Sequence, residues 1–570
     1  MNIKTRKALD KSFSVAAYAS LLAMCLTLAL FLLPIIFNGV GAFFFNATVE
    51  HEKFLHENLN TESSSFDKLL KDSDNARAPL YQMMRDYENP TSAKFLKSQL
   101  DESLNESLAL LESRKDEVVG ILSDKDAKTR LAGIQQISAE IWKPYTTQIS
   151  MLTAKSLKNE NAIALKNIFK IHESENPNNV RAALQSLWSD TKVGVAQKSS
   201  FRRNFLEVSQ TALANSIEKL ESITAPYMAF KKGVTELLGP HSPAVKEKAN
   251  LMRQKYGQTR MDQAHEVFGK SVLKINVAEK DSRGVETLKR VDSAEIFADT
   301  PVEKMLEHLT ENFDIMLQPH WRFYPGFFFD DPYDSNIFGG IWPMIAGTFY
   351  LTVGAMIIAA PLGIIAAIYF SEYAGSGTFV SILRMCVGTL AGVPSIVFGL
   401  FGLAFLINTL KISESKSVLA GALTLALLIL PTIIRACEEA IKSVPNSYRE
   451  ASLGLGAGKW KSITGVILPS ALPGMLTGII ISMGRAAGET APIIFTAATS
   501  TGAALAIWEV FSQATPALPW NIYNMCSEHE MADRVAHVQY GMVFTLIAIV
   551  LSLNLVAIVI RSRIQKKLSR

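Results

Sequence analysis

EASLGLGAGKWKSITGVILP, residues Glu450 to Pro469, decides how the rest of this chain is read. It lies between two long uncharged runs, yet it carries Glu450, Lys459 and Lys461. Tyr448 to Leu455 is helix-compatible, Gly456 and Gly458 permit a sharp reversal, and a helix resumes from Lys459 to Leu468 before Pro469. The pattern predicts a rigid, exposed helix–turn–helix between membrane spans, suited to passing motion to a soluble neighbour. Gly454 to Lys459, GLGAGK, imitates a phosphate-binding loop. That motif needs Gly five residues before its second Gly and Ser or Thr after its Lys, and Leu453 and Trp460 hold those places. ATP hydrolysis is therefore not expected of this chain.

The 570 residues are 48% hydrophobic and 19% charged, averages that conceal two different halves. Uncharged runs long enough for a membrane helix, roughly 20 residues, lie at 12–49, 335–371, 385–410, 417–434, 462–484 and 538–560. They predict six spans. The net charge of +4 is too small to point to nucleic acid. Its placement is more telling: Lys4, Arg6, Lys7 and Lys11 precede the first run, and Arg561, Arg563, Lys566, Lys567 and Arg570 follow the last. By the positive-inside rule both termini are cytoplasmic, as an even number of spans requires. Of Cys25, Cys386, Cys437 and Cys526, only Cys526 falls on the outer side, so no disulfide is expected there.

The first run is too long for the apolar part of a cleaved signal and reads as an anchor. The expected division is 1–49 for the cytoplasmic N-terminus and first span, 50–334 for a soluble, mostly helical insert, and 335–570 for the remaining spans. In the insert, Ser103 and Glu106 have capping-box spacing. Leu104, Leu108, Leu111, Val118 and Leu122 form one apolar stripe. Leu206, Leu213, Ile217 and Leu220 form another, with Pro226 expected to end it. Residues 272–277 and 285–291, with Gly284 between them, suggest a hairpin. Trp321, Phe323, Tyr324, Phe327, Phe328, Phe329 and Tyr333 suggest re-entry into a bilayer interface.

Charge and proline within the apolar runs mark candidate functional positions. Pro394, in GVPSIV at 392–397, removes a backbone donor within the third run and predicts a bend. Arg485 and Glu489, in GRAAGETAP at 484–492, are four residues apart and on one helix face can pair. Intramembrane charges are expensive and usually face a bundle interior or a water path. Arg435 stands three and four residues before Glu438 and Glu439, either of which it can pair with, while Arg384 is expected to reach for the surface.

Glu450-Ala451, Gly456 and Val466-Ile467-Leu468-Pro469 resemble the EAA loop of ATP-binding-cassette importer permeases, with Ser452 where that pattern prefers Ala. GRAAGETAP, GVPSIV and PLGIIAAIYFSEYA at 361–374 resemble the A-type permease subunits of phosphate-specific importers. The likeness covers 335–570 closely, 1–48 loosely, and not the insert. It implies an all-α membrane protein with six helices of the type I importer permease fold and a coupling loop at about 436–469. It implies import of inorganic phosphate across the bacterial inner membrane, with a C-type permease, an ATP-binding subunit dimer and a periplasmic phosphate-binding protein as partners. The substrate path is expected at Arg485, Glu489, Arg435, Thr490 and Ser395, and ATPase coupling at Glu450, Ala451 and Gly456. No metal or cofactor is implied. Two alternatives stay open: a permease for another oxyanion such as molybdate or sulfate, and a membrane sensor with a periplasmic helical domain.

Overall fold

The structure, a computed structural model, describes residues 3–60, 66–88, 91–156, 162–189, 191–240, 251–280, 286–375, 377–532 and 534–568. It divides into two compact units, one formed by 1–45 with 321–570 and the other by 46–320. Residues 321–334, placed in the insert by sequence, thus belong with the apolar unit. Aromatic packing explains the difference. Phe44 stacks on Trp321 with ring centroids 5.3 Å apart, Phe43 lies 4.9 Å from Phe328, and Phe329 lies 6.3 Å from Trp342.

Among the described residues of the apolar unit, five helices are long and apolar enough to cross a membrane: Phe13–Val40, Trp342–Tyr373, Val418–Lys442, Lys459–Gly488 and Ala536–Lys566. A sixth crossing is counted if Thr378–Leu390 and Ser395–Thr409 form one broken span. Those two pieces meet at 102°, far beyond a simple proline kink. Pro394 is extended (φ −57°, ψ 139°) and lacks an N–H, while Gly392 and Val393 close the first piece through bonds to Thr389 O and Leu390 O.

Val418–Lys442 sits between two neighbours. Gly354 and Gly363 face its Ala422 and Ile433 on one side, and Gly474 and Gly478 face its Ala440 and Ala436 on the other. Small residues let helices approach closely, the main source of packing energy where lipid removes the hydrophobic drive. The order of these contacts makes Val418–Lys442 parallel to the helix at 342–368 and antiparallel to the one at 468–488. Lys459–Gly488 runs on through Pro469 rather than stopping before it. A π-helical turn at Ile463–Ile467, closed by Leu468 N–H on Ile463 O, widens the backbone ahead of the ring.

The second unit is mostly helical, with two cores. One gathers Trp142, Tyr145, Phe169, Phe201 and Phe205, together with Leu104, Leu111, Val118 and Leu122 of the expected stripe. The other gathers Leu80, Met84, Tyr227, Phe230 and Met316. The 44-residue helix Val195–Leu238, about 66 Å long, contributes to both. It passes through Pro226, which therefore does not end it. Tyr227, Phe230, Val234 and Leu237 bury on the second core, and that burial outweighs the donor lost at the proline. Ser103 is no cap: it lies inside Thr91–Ser113, and its hydroxyl donates to Leu100 O. Lys274–Lys280 pairs antiparallel with Glu286–Asp292 as a hairpin, and Gly284 lies outside the described residues.

A charged cluster is sealed in this unit. Glu50 accepts from Lys53 at 2.8 Å and from Arg77 at 2.5 Å, and Arg77 also donates to Met316 O and Leu238 O. Burial alone would raise the Glu50 carboxyl, but Arg77 and Lys53 outweigh it and hold the group down at about 2.

Candidate substrate path and coupling loop

Helix Leu468–Gly488 stops one residue before Glu489, which is extended (φ −75°, ψ 126°), and a short helix follows at Ala491–Thr496. Arg485 and Glu489 therefore do not share a helix face. They pair across the helix end instead, Nε to Oε1 at 3.2 Å, with side chains 45% and 18% exposed. Nε makes this bond, and the two Nη groups of Arg485 make no hydrogen bond among the described residues.

The second break, at Pro394, is brought against this one. Ser395–Phe401 packs on Ala491–Thr496 so closely that a β-carbon on Gly399 would stand 3.0 Å from Ala491 O and 3.0 Å from Pro492 Cα. Ser395 follows one break and Thr490 the other, both half-buried. Non-helical backbone at membrane depth is tolerated where protein covers it or where it lines a water-filled cavity.

Arg435 does not pair with Glu438 or Glu439. Glu438 Oε1 instead forms ion pairs with Arg384 Nη1 at 2.7 Å and Lys442 Nζ at 2.6 Å. Arg384, expected to reach for the surface, is exposed, and its Nη2 donates to Phe370 O at 2.7 Å. Arg435 turns toward Gly388, its Nη2 2.7 Å from where a β-carbon would be, and has no hydrogen bond among the described residues. With Gly478 opposite Ala436, Arg435 and Arg485 sit at levels about 9 Å apart along the antiparallel helices.

The polar loop forms a helix at Asn446–Gly454. Gly456 takes φ +82°, and its N–H and that of Ala457 bond Leu453 O and Ser452 O, closing the helix end. Glu450 and Ala451 are exposed, whereas Ser452 is buried, so the departure from the motif lies on the inner face. Leu453, Leu455 and Trp460 present apolar surface outward, Leu455 at 90% exposure. Arg449 and Glu372, which bond each other beneath this loop, were not singled out from sequence. Glu372 stands in the quoted 361–374 run and Arg449 directly precedes Glu450, but nothing local connects them.

Residues 359–570 match the family described as "Binding-protein-dependent transport system inner membrane component". The chain is 39% identical over 223 residues to "Phosphate transport system permease protein PstA 1" of Mycobacterium tuberculosis H37Rv, covering 39% of this chain and 70% of that one. It is 34% identical over 240 residues to "Probable ABC transporter permease protein YqgI" of Bacillus subtilis, covering 40% of this chain and 81% of that one. A methionine ABC transporter structure, MetNI in an inward-facing conformation, aligns at 19% identity and a TM-score of 0.31, over 40% of this chain and 94% of that one. At this identity over more than two thirds of such relatives, the chain belongs to the inner-membrane permease family of binding-protein-dependent ABC transport systems, a multi-pass subunit that leaves ATP hydrolysis to a partner.

Proposed function

We propose that this subunit is one half of a two-permease pore importing inorganic phosphate. Its partners in this reading are a C-type permease, a cytoplasmic ATPase dimer and a periplasmic phosphate-binding protein, within a bacterial inner membrane. Both termini face the cytoplasm and residues 50–334 the periplasm, a placement supported by the basic residues flanking the first and last runs. The observation that carries the reading is the 39% identity to a relative named as a phosphate transport permease.

In this reading the mechanism runs through the two helix breaks and the polar loop. Arg485 offers its free Nη edge to a phosphate oxygen while Nε stays on Glu489. The carboxylate orients the guanidinium and weakens its hold on the anion, so that binding is transient. Thr490 and Ser395 add hydroxyls near the two helix breaks, and Arg435 provides a second cation about 9 Å along the bundle. Closure of the ATPase dimer moves the loop carrying Glu450, Ala451 and Gly456, and the spans rock between outward and inward openings.

Radiolabelled phosphate uptake by the assembled complex tests the reading. Arg485→Lys keeps the charge but loses the planar fork, and Arg485→Gln loses both. Uptake is expected to fall at least tenfold in each, further for Gln, at near-normal membrane abundance, with Glu489→Gln milder. Recovery of uptake in the double variant Arg485→Gln with Glu489→Gln would reject contact between Arg485 and the anion. Inhibition of uptake by sulfate or molybdate at concentrations matching phosphate would reject phosphate as the selected substrate.

A further inference from the structure

The coupling loop is tied to the bundle at two points that converge on one short segment. At the first, Arg449 Nε and Nη2 donate to Glu372 Oε1 at 3.0 and 2.8 Å, and Nη2 also donates to Ile441 O at 2.9 Å. Its Nη1 donates to Val444 O at 2.7 Å and Asn446 Oδ1 at 3.2 Å. These bonds occupy all five donors of the guanidinium. The pair is largely shielded, with side chains 20% and 9% exposed. At the second point, Lys459 Nζ, beyond the Gly456 turn, lies 4.8 Å from the ring centroid of Tyr373. Glu372 and Tyr373 both belong to the π-helical segment Tyr369–Tyr373, which directly continues helix Trp342–Ile368.

The C-terminal end of the loop helix does not depend on this link. Its end is already closed by Gly456 and Ala457 bonding back to Leu453 and Ser452. One saturated guanidinium joins three pieces instead: the loop helix, the end of Val418–Lys442, and the extension of the 342–368 helix. Its planar fork fixes direction as well as distance, which a lysine cannot do.

We infer that Arg449 and Glu372 form a rigid strut that carries displacement of the coupling loop into helix Trp342–Ile368, with Lys459 on Tyr373 as a weaker second tie. This rests on the loop being the ATPase contact. Both are positioning residues and touch no substrate.

The test uses the full complex, with all partner subunits, in proteoliposomes. A reporter dye on Leu362→Cys, a side chain 52% exposed on the driven helix, reads nucleotide-dependent motion without reference to any substrate. The reporter is placed in a background where Cys25, Cys386 and Cys526, the exposed cysteines, are Ser. Arg449→Lys and Glu372→Gln are expected to keep ATP hydrolysis within about twofold of the parent. The ATP-dependent dye signal should fall at least fivefold and phosphate uptake per ATP at least tenfold. Lys459→Gln, at an exposed position that does not threaten folding, should lower the dye signal about twofold to threefold. The strut is rejected if dye signal and uptake per ATP stay at parental levels. It is also rejected if the ATPase subunits no longer co-purify and hydrolysis collapses together with motion, since Arg449 would then only shape the docking surface. A parent complex whose dye responds to ATP but which takes up no phosphate removes the phosphate reading. The strut is then judged by the same dye criteria alone.

Discussion

Glu50 in the second unit sits where a carboxylate survives only through its partners. Its folded-state value of about 2 lies below the ordinary 4.5, so its stabilising effect is complete above about 4.5 and is lost as pH falls toward about 2. The effect is on the order of 3 kcal/mol. Thermal unfolding of the full-length protein in detergent should therefore show the second unit losing stability through that acid window. Glu50→Gln should flatten the dependence while lowering stability at neutral pH. Removing the cation alone is worse: Arg77→Met leaves the carboxylate only Lys53 and should cost about 3–5 kcal/mol. An Arg77→Met protein as heat-stable as the parent at pH 7 would show the cluster to be energetically idle. Arg485 belongs to the same scale with the opposite environment. It is 45% exposed in the single chain, so its free edge remains open to an anion.

Gly456 controls the geometry of the polar loop through its backbone. Space does not constrain it, since a β-carbon there would meet nothing within 4 Å, but φ +82° does. A left-handed conformation costs ordinary residues roughly 1–2 kcal/mol, and a β-branched side chain more. Gly456→Val should insert normally and hydrolyse ATP with its partners, yet take up little phosphate. Parental uptake per ATP would show that the turn does not govern coupling. At the contact between the two broken helices the constraint is steric instead. Gly399→Val drives a side chain into the Ala491 and Pro492 backbone, so uptake should fall several-fold while ATP hydrolysis persists. Unchanged uptake would show that the two breaks need not touch.

At the scale of the whole molecule, none of the apolar window of Phe13–Val40 is buried within the chain, and only 6% of that of Ala536–Lys566. Such surfaces are expected to meet lipid or a partner permease. The proposed orientation has a direct check. Epitope tags before Lys4 and after Arg570 should be inaccessible to antibody in intact spheroplasts and accessible after permeabilisation. Added protease should cut within 46–320 in the intact spheroplasts. Surface labelling of either terminal tag without permeabilisation would reverse the topology.

The sequence by itself determined what depends on neighbours along the chain. Apolar run length set out the candidate spans, and the Gly456 turn followed from the only residue type that enters φ +82° freely. The hairpin strands were legible because strand alternation is local, and the motif residues at 450–469 and 484–492 were legible as a resemblance. Tertiary structure decided what depends on distant residues. Pro394 predicts a bend, but its 102° size and the second broken helix packed against it appear only in the fold. Pro226 and Pro469 predict helix ends, yet buried side chains beyond the first and a widened turn before the second carry the helices through. Glu438 has Arg435 three residues away, but Arg384, from another helix, reaches it together with Lys442. Arg449 and Glu372 are 77 residues apart, and only the folded bundle places a five-donor fork beside that carboxylate. Pairs of this kind are set by what the whole chain brings within about 3 Å, which the residues flanking either partner do not encode.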